Sequence, residues 1–509
     1  MGEPAERVAR CPQVTTVRTR ATDTPPMMAR GVPAVGARSY WLMEALRTDP
    51  GAPCPPLAEE TDADVCVVGG GFAGLWTAYE LSERRPDLGI TLLEADVCGA
   101  GGSGSNGGFF SPSWIGVASL CHHLGEEPGI EYAAALADEV QGLAAWTARH
   151  HAAIGLHSNG ILYAKTVEWQ EDPGDEDLRL LEKHGLAGRL RVVDAAAARQ
   201  VADSPRFCGG VVTDDLAVIQ PASLARELRR VLLERGARIC EGTPMTAFTP
   251  GRPARVGTPG GSVSARRVVL ANGAWAASQR HFSRAFAVCT NAMVVTEPIP
   301  ELIEQIGWTS GAGIADVREL AAYLRTTDDG RIAVGGGAMG TVLAGRIAVP
   351  DPSSARMAEV AARCLVWLFP QLDGVRVDAA WSGPMDLTPS GLPFFQSSPD
   401  GSVHAGLGFS GHGLAATRLG GRILASLVLG EDDRWSRMPV VGPPRAKLPP
   451  EPLRWPMVRT VAWAGETGDR AAERGRGPGL VRAAIMRTFE AYARHAGSAS
   501  RRRRRKEHP

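Results

Sequence analysis

At 509 residues, with 55 Lys plus Arg balanced by 55 Asp plus Glu, the chain is long enough for more than one domain, and its overall charge predicts neither a nucleic-acid nor a membrane partner. The nine cysteines are odd in number and scattered, with no C-x-x-C pair, which argues for a reducing compartment and against a disulfide framework or a zinc site. No stretch offers about twenty apolar residues to cross a bilayer and the N-terminus has no sustained apolar run, so the expectation is a soluble cytoplasmic protein.

Residues 1 to 38, rich in Ala, Arg, Pro and Thr without periodicity, read as a disordered leader. Ser39-Tyr40-Trp41-Leu42 begins a short segment, and Pro53 to Pro56 link it to the first strand. That strand, Asp64 to Val68, runs into Gly69-Gly70-Gly71-Phe72-Ala73-Gly74 and a helix. Gly69, Gly71 and Gly74 stand in G-x-G-x-x-G spacing: the first permits a tight turn, the second lets backbone approach a pyrophosphate, and the third lets helix pack on strand. The helix N-terminus then faces phosphate charge. A second strand, Ile90 to Leu93, ends in Glu94, an acid placed to accept hydrogen bonds from adenosine ribose hydroxyls. Strand, turn, helix, strand and acid together predict a dinucleotide site, FAD or NAD.

Gly99 to Phe109 holds too many glycines for a regular element, each costing about 1 kcal/mol there relative to alanine. It is either a surface loop or backbone passing close to a flat, phosphorylated ligand. Residues 111 to 205 mix a helical stretch, Ala133 to His150, with short apolar runs such as Gly160 to Tyr163. The adjacent pairs His122-His123 and His150-His151 are a poor metal pattern and read as surface or loop histidines, so no metal is expected. Gln220-Pro221 opens a helix with Leu224, Leu228, Val231 and Leu232 on one face, which Gly236 ends. A strand over Ala265 to Leu270 precedes Ala271-Asn272-Gly273-Ala274-Trp275. From 281 to 385 the strands lengthen, and Asp329-Gly330 suits a hairpin between Tyr323 to Thr327 and Arg331 to Val334. An antiparallel sheet follows as the expectation, a natural wall for a substrate cavity. Gly408-Phe409-Ser410-Gly411-His412-Gly413 opens a last apolar-faced helix that stops at Gly430. The tail is Pro- and Arg-rich and ends in the basic run Arg501 to Lys506, either a solvated terminus or a binder of nucleic acid or acidic lipid, expected to lie outside the fold.

Five stretches in one order carry a resemblance: Val67 to Gly74, Ser103 to Gly108, Gln220-Pro221, Ala271 to Trp275, and Gly408 to Gly413. Together they resemble the D-amino-acid oxidase superfamily of FAD-dependent oxidoreductases, within it the gamma-glutamylputrescine oxidase branch, over about residues 39 to 435. The resemblance implies an α/β fold: an FAD-binding Rossmann-like domain of the GR2 type with an inserted α+β substrate domain built on an antiparallel sheet. The nucleotide part is expected at 39–110, 205–280 and 390–435, the substrate part at 111–204 and 281–389, and a C-terminal extension at 436–509. The implied FAD contacts are Gly69, Gly71, Phe72, Ala73, Gly74 and Glu94, then Ser103, Gly104, Asn106, Gly107 and Gly108. Ala271, Gly273 and Trp275 complete them, with Gly408, Phe409, Ser410, Gly411, His412 and Gly413. By resemblance, a C–H beside an amine nitrogen delivers hydride to flavin N5, water hydrolyses the imine, and O2 or another acceptor takes the electrons. The helix N-terminus at Gly411 to Gly413 stabilises the charge that develops at the N1 and C2 carbonyl edge.

The chain departs from the family pattern in three places. The family loop commonly reads Ala-Ser-Gly-Arg-Asn-Gly-Gly; here Ser105 replaces the phosphate-pairing arginine. The Gly-Leu-Arg-Pro that follows a strand tryptophan in amino-acid-oxidising members is replaced after Trp381 by Gly383-Pro384-Met385-Asp386, which removes the carboxylate-binding arginine. Asp386 either meets a substrate ammonium or caps a turn before Pro389. No cysteine near 385 matches the covalent-flavin cysteine of sarcosine oxidases, so FAD is expected to be noncovalent. Substrate-site candidates are Arg325, for a distal carboxylate, with Trp381, Asp386 and His412. Arg325 is otherwise a surface arginine, and His412 is otherwise satisfied within its turn. The favoured reading is oxidation of the C–N bond of a small-molecule amine or amino acid, with gamma-glutamyl amines and polyamines first. The competing readings are an FAD-binding scaffold without turnover and a 2-hydroxy-acid dehydrogenase on the same fold.

Overall fold

A computed structural model describes residues 31–168, 174–477, 479–489 and 491–492. Residues 1–30 of the expected leader and the basic run Arg501–Lys506 lie outside the described residues. Two sheets organise the molecule. The first is built on parallel strands in the order Phe394–Ser397, Val403–Leu407, Ser262–Leu270, Glu60–Val68, Ile90–Leu93, Arg238–Cys240, with Phe394–Ser397 antiparallel at one edge. Its central strand is fully buried at Val65 to Val68, as a parallel strand covered on both faces must be. The helices Phe72–Arg84, Pro221–Glu234 and Gly413–Leu429 pack on it around Trp76, Leu224, Leu228 and Leu419.

Helix boundaries follow the local chemistry. Ser39 caps Tyr40–Thr48 by accepting from Leu42 N at 3.0 Å. Gln220 caps the helix that Pro221 opens, accepting from Ser223 N at 2.7 Å. Gly430, at φ 72°, ends the last helix of this sheet.

The second sheet has nine strands and is antiparallel except where Gly313–Asp316 meets Ile161–Lys165. The hairpin of Tyr323–Thr326 with Ile332–Gly335 forms as the sequence implies, though only Gly330 of its turn takes a positive φ. Two stretches sit differently from the sequence expectation. Gly209–Thr213, placed by sequence in the nucleotide part, pairs with Ile161–Lys165 in the substrate sheet. The tail is not outside the fold: helix Arg454–Glu473 packs beside Gly340–Thr341, with Val458 against Ala287 and Cys289. Of the histidine pairs, His122, His123 and His150 are helical rather than loop residues, while His151, exposed at φ 49°, ends its helix. His123 is buried, and Nε2 of His150 lies 3.0 Å from the Tyr79 hydroxyl.

Candidate active site

The first glycine turn is fixed by steric exclusion. Gly69 has φ 113°, and a Cβ there would lie 2.5 Å from the Ala271 carbonyl oxygen; one on Gly74 would lie 2.0 Å from the Gly69 carbonyl oxygen. No side chain fits at either position. Glu94 closes the turn: one oxygen accepts from Gly70 N at 2.7 Å and the other from Asp96 N at 3.0 Å. Burial pushes its carboxyl upward and these backbone donors pull it back, leaving an acceptor beside the strand end. Asn272, whose Cα lies 3.1 Å from the same Gly69 Cβ position, carries a buried Oδ1 with no partner among the described residues. A bare glycine cradle, a carboxylate and an orphaned acceptor together fit the phosphates and hydroxyls of a dinucleotide.

The second glycine stretch is a short turn of helix, Gly102–Ser105, rather than an open loop. Ser103 Oγ accepts from Phe72 N at 2.8 Å, which joins it to the phosphate-facing helix N-terminus. Asn106 spends its side chain within the stretch, donating to Gly102 O and Ser103 O and accepting from Gly108 N at 2.8 Å. The stretch is clamped from outside. Ser39 Oγ donates to Gly104 O at 2.5 Å, Trp41 Nε1 to Asn106 O at 3.1 Å, and Trp381 Nε1 to Ser105 O at 2.8 Å. Ser105, standing where the family loop has arginine, abuts Gly383: a Cβ on Gly383 would lie 2.2 Å from Ser105 Oγ.

At the far end, Asp386 is buried and its carboxylate accepts from Gly408 N at 2.5 Å, while its carbonyl accepts from Ser410 N at 3.3 Å. Burial lifts its carboxyl to about 6 against the pull of the turn's backbone N–H groups. It holds the turn Gly408–Gly413 in shape. Ser410 at φ 53° and Gly411 at φ 82° lead into the helix Gly413–Leu429, at whose N-terminus His412 is exposed with Nδ1 3.2 Å from Ser410 O.

Between these turns lies one face of the antiparallel sheet. Cross-strand register places Met385 beside Cys289, Gly383 beside Asn291, Trp381 beside Met293, and then Gly335 beside Tyr323. This face meets the glycine stretches: a Cβ on Gly107 would lie 2.9 Å from Tyr323 Cε2, and one on Gly411 would lie 3.5 Å from Met385 Sδ. Sequence reasoning missed Asn291 and Tyr323. Asn291 Nδ2 donates to the Tyr323 hydroxyl at 3.3 Å, and Asn291 Oδ1 is buried without a partner among the described residues. Alternation along the strand Ala287–Thr296 was the only signal that could have put Asn291 on this face.

Other predicted residues fall as follows. Arg325 is buried, not a surface arginine. Its Nη1 donates to the Ile219 carbonyl and its guanidinium lies 5.3 Å from the Trp41 ring. Burial pulls it down to about 10, so it remains a cation at neutral pH, turned toward the glycine stretch at Gly108. Ala271 is buried and donates to Val68 O at 2.9 Å. Gly273 takes φ 52°, and Trp275 is 43% exposed, its ring beside Gly101. Phe72 and Ala73 are buried in the first helical turn, and Phe409 packs edge-on to Phe395 at 6.0 Å.

The profile of the FAD dependent oxidoreductase family (DAO) matches residues 64–427, spanning the glycine turns, the sheet face and most of helix Gly413–Leu429. The chain belongs to this family. It is an FAD-dependent enzyme of amine or amino-acid oxidoreduction. Among curated relatives, gamma-glutamylputrescine oxidoreductase of Escherichia coli K12 is 28% identical over 404 residues, covering 75% of this chain and 88% of that protein. Glycine oxidase from Geobacillus kaustophilus superposes with a TM-score of 0.59 at 20% identity, over 73% of this chain and 96% of that one. L-proline dehydrogenase from P. horikoshii gives 0.57 at 19%, over 75% and 96%. The structural likenesses establish the fold. Among the described residues no helix is long and apolar enough to cross a membrane.

Proposed function

We propose that this enzyme oxidises the C–N bond of an amine whose reacting carbon bears no carboxylate, a gamma-glutamyl amine or polyamine-like molecule. The observation that carries the reading is Met385. It stands where the family's Gly-Leu-Arg-Pro carries its carboxylate-binding arginine, opposite Cys289 and partly buried against the apolar cluster of Cys289, Leu448 and Val458. A carboxylate there would be desolvated without a partner, at a cost of several kcal/mol. Bound FAD supplies a hydride acceptor. The residues of this chain position the donor: Tyr323 and Asn291 offer a hydroxyl and a free amide oxygen, a neutral pair suited to an amide or to an uncharged amine. Its likeness to gamma-glutamylputrescine oxidoreductase supports the same class. Arg325 is not assigned to substrate in this reading: its Nη1 and Nε donate to Ile219 O and Thr326 O, and its guanidinium lies over the Trp41 ring. Asp386 shapes the turn rather than meeting an ammonium, and the Gly411–Gly413 amides at the helix N-terminus would hold the flavin's electron-accepting end and stabilise negative charge there. O2 or another acceptor completes the cycle.

The FAD is held noncovalently in this reading. Cys289 lies across the strand from Met385, which sequence order hid, but it is fully buried and burial lifts its thiol to about 12, leaving no thiolate. No disulfide joins the described cysteines, which supports a reducing, cytoplasmic setting.

An anaerobic screen tests the reading. Gamma-glutamyl amines and polyamines bleach the flavin, α-amino acids and 2-hydroxy acids do not, and acid precipitation leaves all yellow colour in the supernatant. Met385→Arg reverses the preference, lowering kcat/KM for the amine by about tenfold or more. Bleaching by α-amino acids alone would overturn the proposal.

A further inference from the structure

The balanced total charge hides a segregated one in the C-terminal arm. Along helix Arg454–Glu473 Asp469 and Glu473 turn inward, and Glu466 bridges Arg356 and Arg470 at the edge of the exposed face. Glu466 pairs with Arg356 at 2.8 and 3.0 Å, Asp469 accepts from Glu319 N and Leu320 N, and Glu473 pairs with Arg318 at 2.8 Å. The exposed stripe beside Glu466 carries Arg459, Arg470 and Arg474, of which Arg470 lies 3.7 Å from Glu466, together with Trp463, 52% exposed; Leu453, 64% exposed, stands at the start of the helix. Beyond the turn at Gly475, residues 480–489 are helical and run back along the first helix. Arg482 Nη1 donates to Thr467 O, and the Tyr492 hydroxyl reaches Lys447 O at 2.7 Å. Leu480 and Val481, at the hairpin's turn, are 91% and 70% exposed. Four of the nine exposed large hydrophobic side chains among the described residues thus fall within residues 453–481. Gathered in one arm and interleaved with the exposed Arg459, Arg470, Arg474 and Arg476, they are more concentrated than the scattered surface apolars of an ordinary monomer.

We propose that this arm is a docking surface for an anionic lipid membrane. A bilayer surface satisfies both halves of the stripe. Headgroup phosphates pair with the guanidinium groups, Trp463 takes the interfacial position its amphipathic ring favours, and Leu453, Leu480 and Val481 enter the acyl boundary. A nucleic acid would answer the arginines but not the aliphatic side chains, which have nothing to bury against on a phosphate backbone. The sequence continues into six consecutive basic residues, Arg501–Lys506, which add attraction of the same sign. The arm rests on the body through buried contacts at Asp469 and Arg454, so a docked arm holds the whole enzyme at the surface.

Sedimentation of the full-chain flavoprotein with vesicles tests this. It pellets with vesicles of equal parts phosphatidylglycerol and phosphatidylcholine and stays in solution with phosphatidylcholine alone. Trp463→Ser, Leu480→Ser and Val481→Ser combined lower the bound fraction about tenfold with flavin content unchanged, as does Arg459→Gln with Arg470→Gln and Arg474→Gln. Should either variant lose flavin, deletion of residues 479–509 is expected to give the same loss of binding. Three results would overturn the proposal: no pelleting with anionic vesicles, undiminished pelleting of the serine variant, or polyuridylate binding that the serine variant retains while vesicle binding is absent.

Discussion

The nucleotide end and the substrate face are built by different kinds of constraint. At the nucleotide end, backbone meets backbone: Gly69 and Gly74 are excluded from bearing a side chain by carbonyl oxygens at 2.5 and 2.0 Å. At the substrate face, side chains from distant strands are brought together by register, so that Met385 meets Cys289 and Gly383 meets Asn291. The first constraint tolerates one residue type and is local in the chain. The second tolerates many and is assembled only on folding, which is why one family can hold its cofactor constant while its substrates change.

The largest effect should come from breaking the first constraint. Gly74→Val places a branched side chain against the Gly69 carbonyl, destabilising the turn by about 3 kcal/mol and abolishing stoichiometric flavin, read as the ratio of flavin to protein absorbance. Gly411→Ala is the control at the other end. Its φ of 82° is strained for alanine, but the nearest atom to its Cβ is Met385 Sδ at 3.5 Å, so the loss is about 1 kcal/mol and flavin is retained. If Gly74→Val retained flavin as fully as Gly411→Ala, steric exclusion would not be what distinguishes the two regions.

Asp386 sits where the regions meet, and it titrates. Its carboxyl is raised to about 6 by burial, above the ordinary value of 3.8, so the folded protein binds this proton more tightly than the unfolded chain. Its contribution to stability is therefore greatest below about pH 4. It falls as pH rises to about 6 and is level above that, a change of about 3 kcal/mol for two units. Asp386→Asn keeps an acceptor for Gly408 N and removes the titration. The difference in melting temperature between wild type and this variant should vary across pH 4 to 6 and stay constant above it. Asp386→Ala leaves the Gly408 N–H buried and unanswered, at about 1–3 kcal/mol across the whole range. A pH-independent difference for Asp386→Asn would mean that the carboxylate is solvated and that the turn is held by something else.

The same contrast explains what could be read from the chain. The first turn, Glu94, the helix opened by Gln220-Pro221 and the helix ended by Gly430 were legible because each is specified by residues adjacent in sequence. The hairpin at Asp329-Gly330 was legible for the same reason. Asn291 and Tyr323 were not: they are 32 positions apart and become neighbours only through the intervening strand Ile332–Gly335. Arg325 was left between a substrate contact and a surface arginine because a strand position does not reveal where an arginine reaches; it is buried and its guanidinium turns to Ile219 O. Gly209–Thr213 was assigned to the wrong sheet because a short apolar strand carries no signature of its partner. The arm's docking was hidden by a composition rich in proline and arginine, although its inward face carries Val458, Ala462 and Asp469, all buried.

The smallest effect is the most informative about the junction. Trp41 and Trp381 are 340 positions apart in the chain, pack edge-on at 5.6 Å, and donate to the adjacent carbonyls of Asn106 and Ser105. Replacing either by Phe keeps most of the packing and removes one hydrogen bond, about 1 kcal/mol each. If the two indoles hold one stretch jointly, removing the first lets the stretch relax and the second bond is already weakened. The double variant then loses less than the sum of the singles, by about 0.5 kcal/mol or more. Urea titration of the apoprotein measures that coupling, and the same cycle on FAD affinity shows whether it reaches the cofactor. Additivity in both would mean that substrate sheet and glycine stretch are fastened independently, and that sequence changes on the sheet can alter specificity without disturbing the nucleotide.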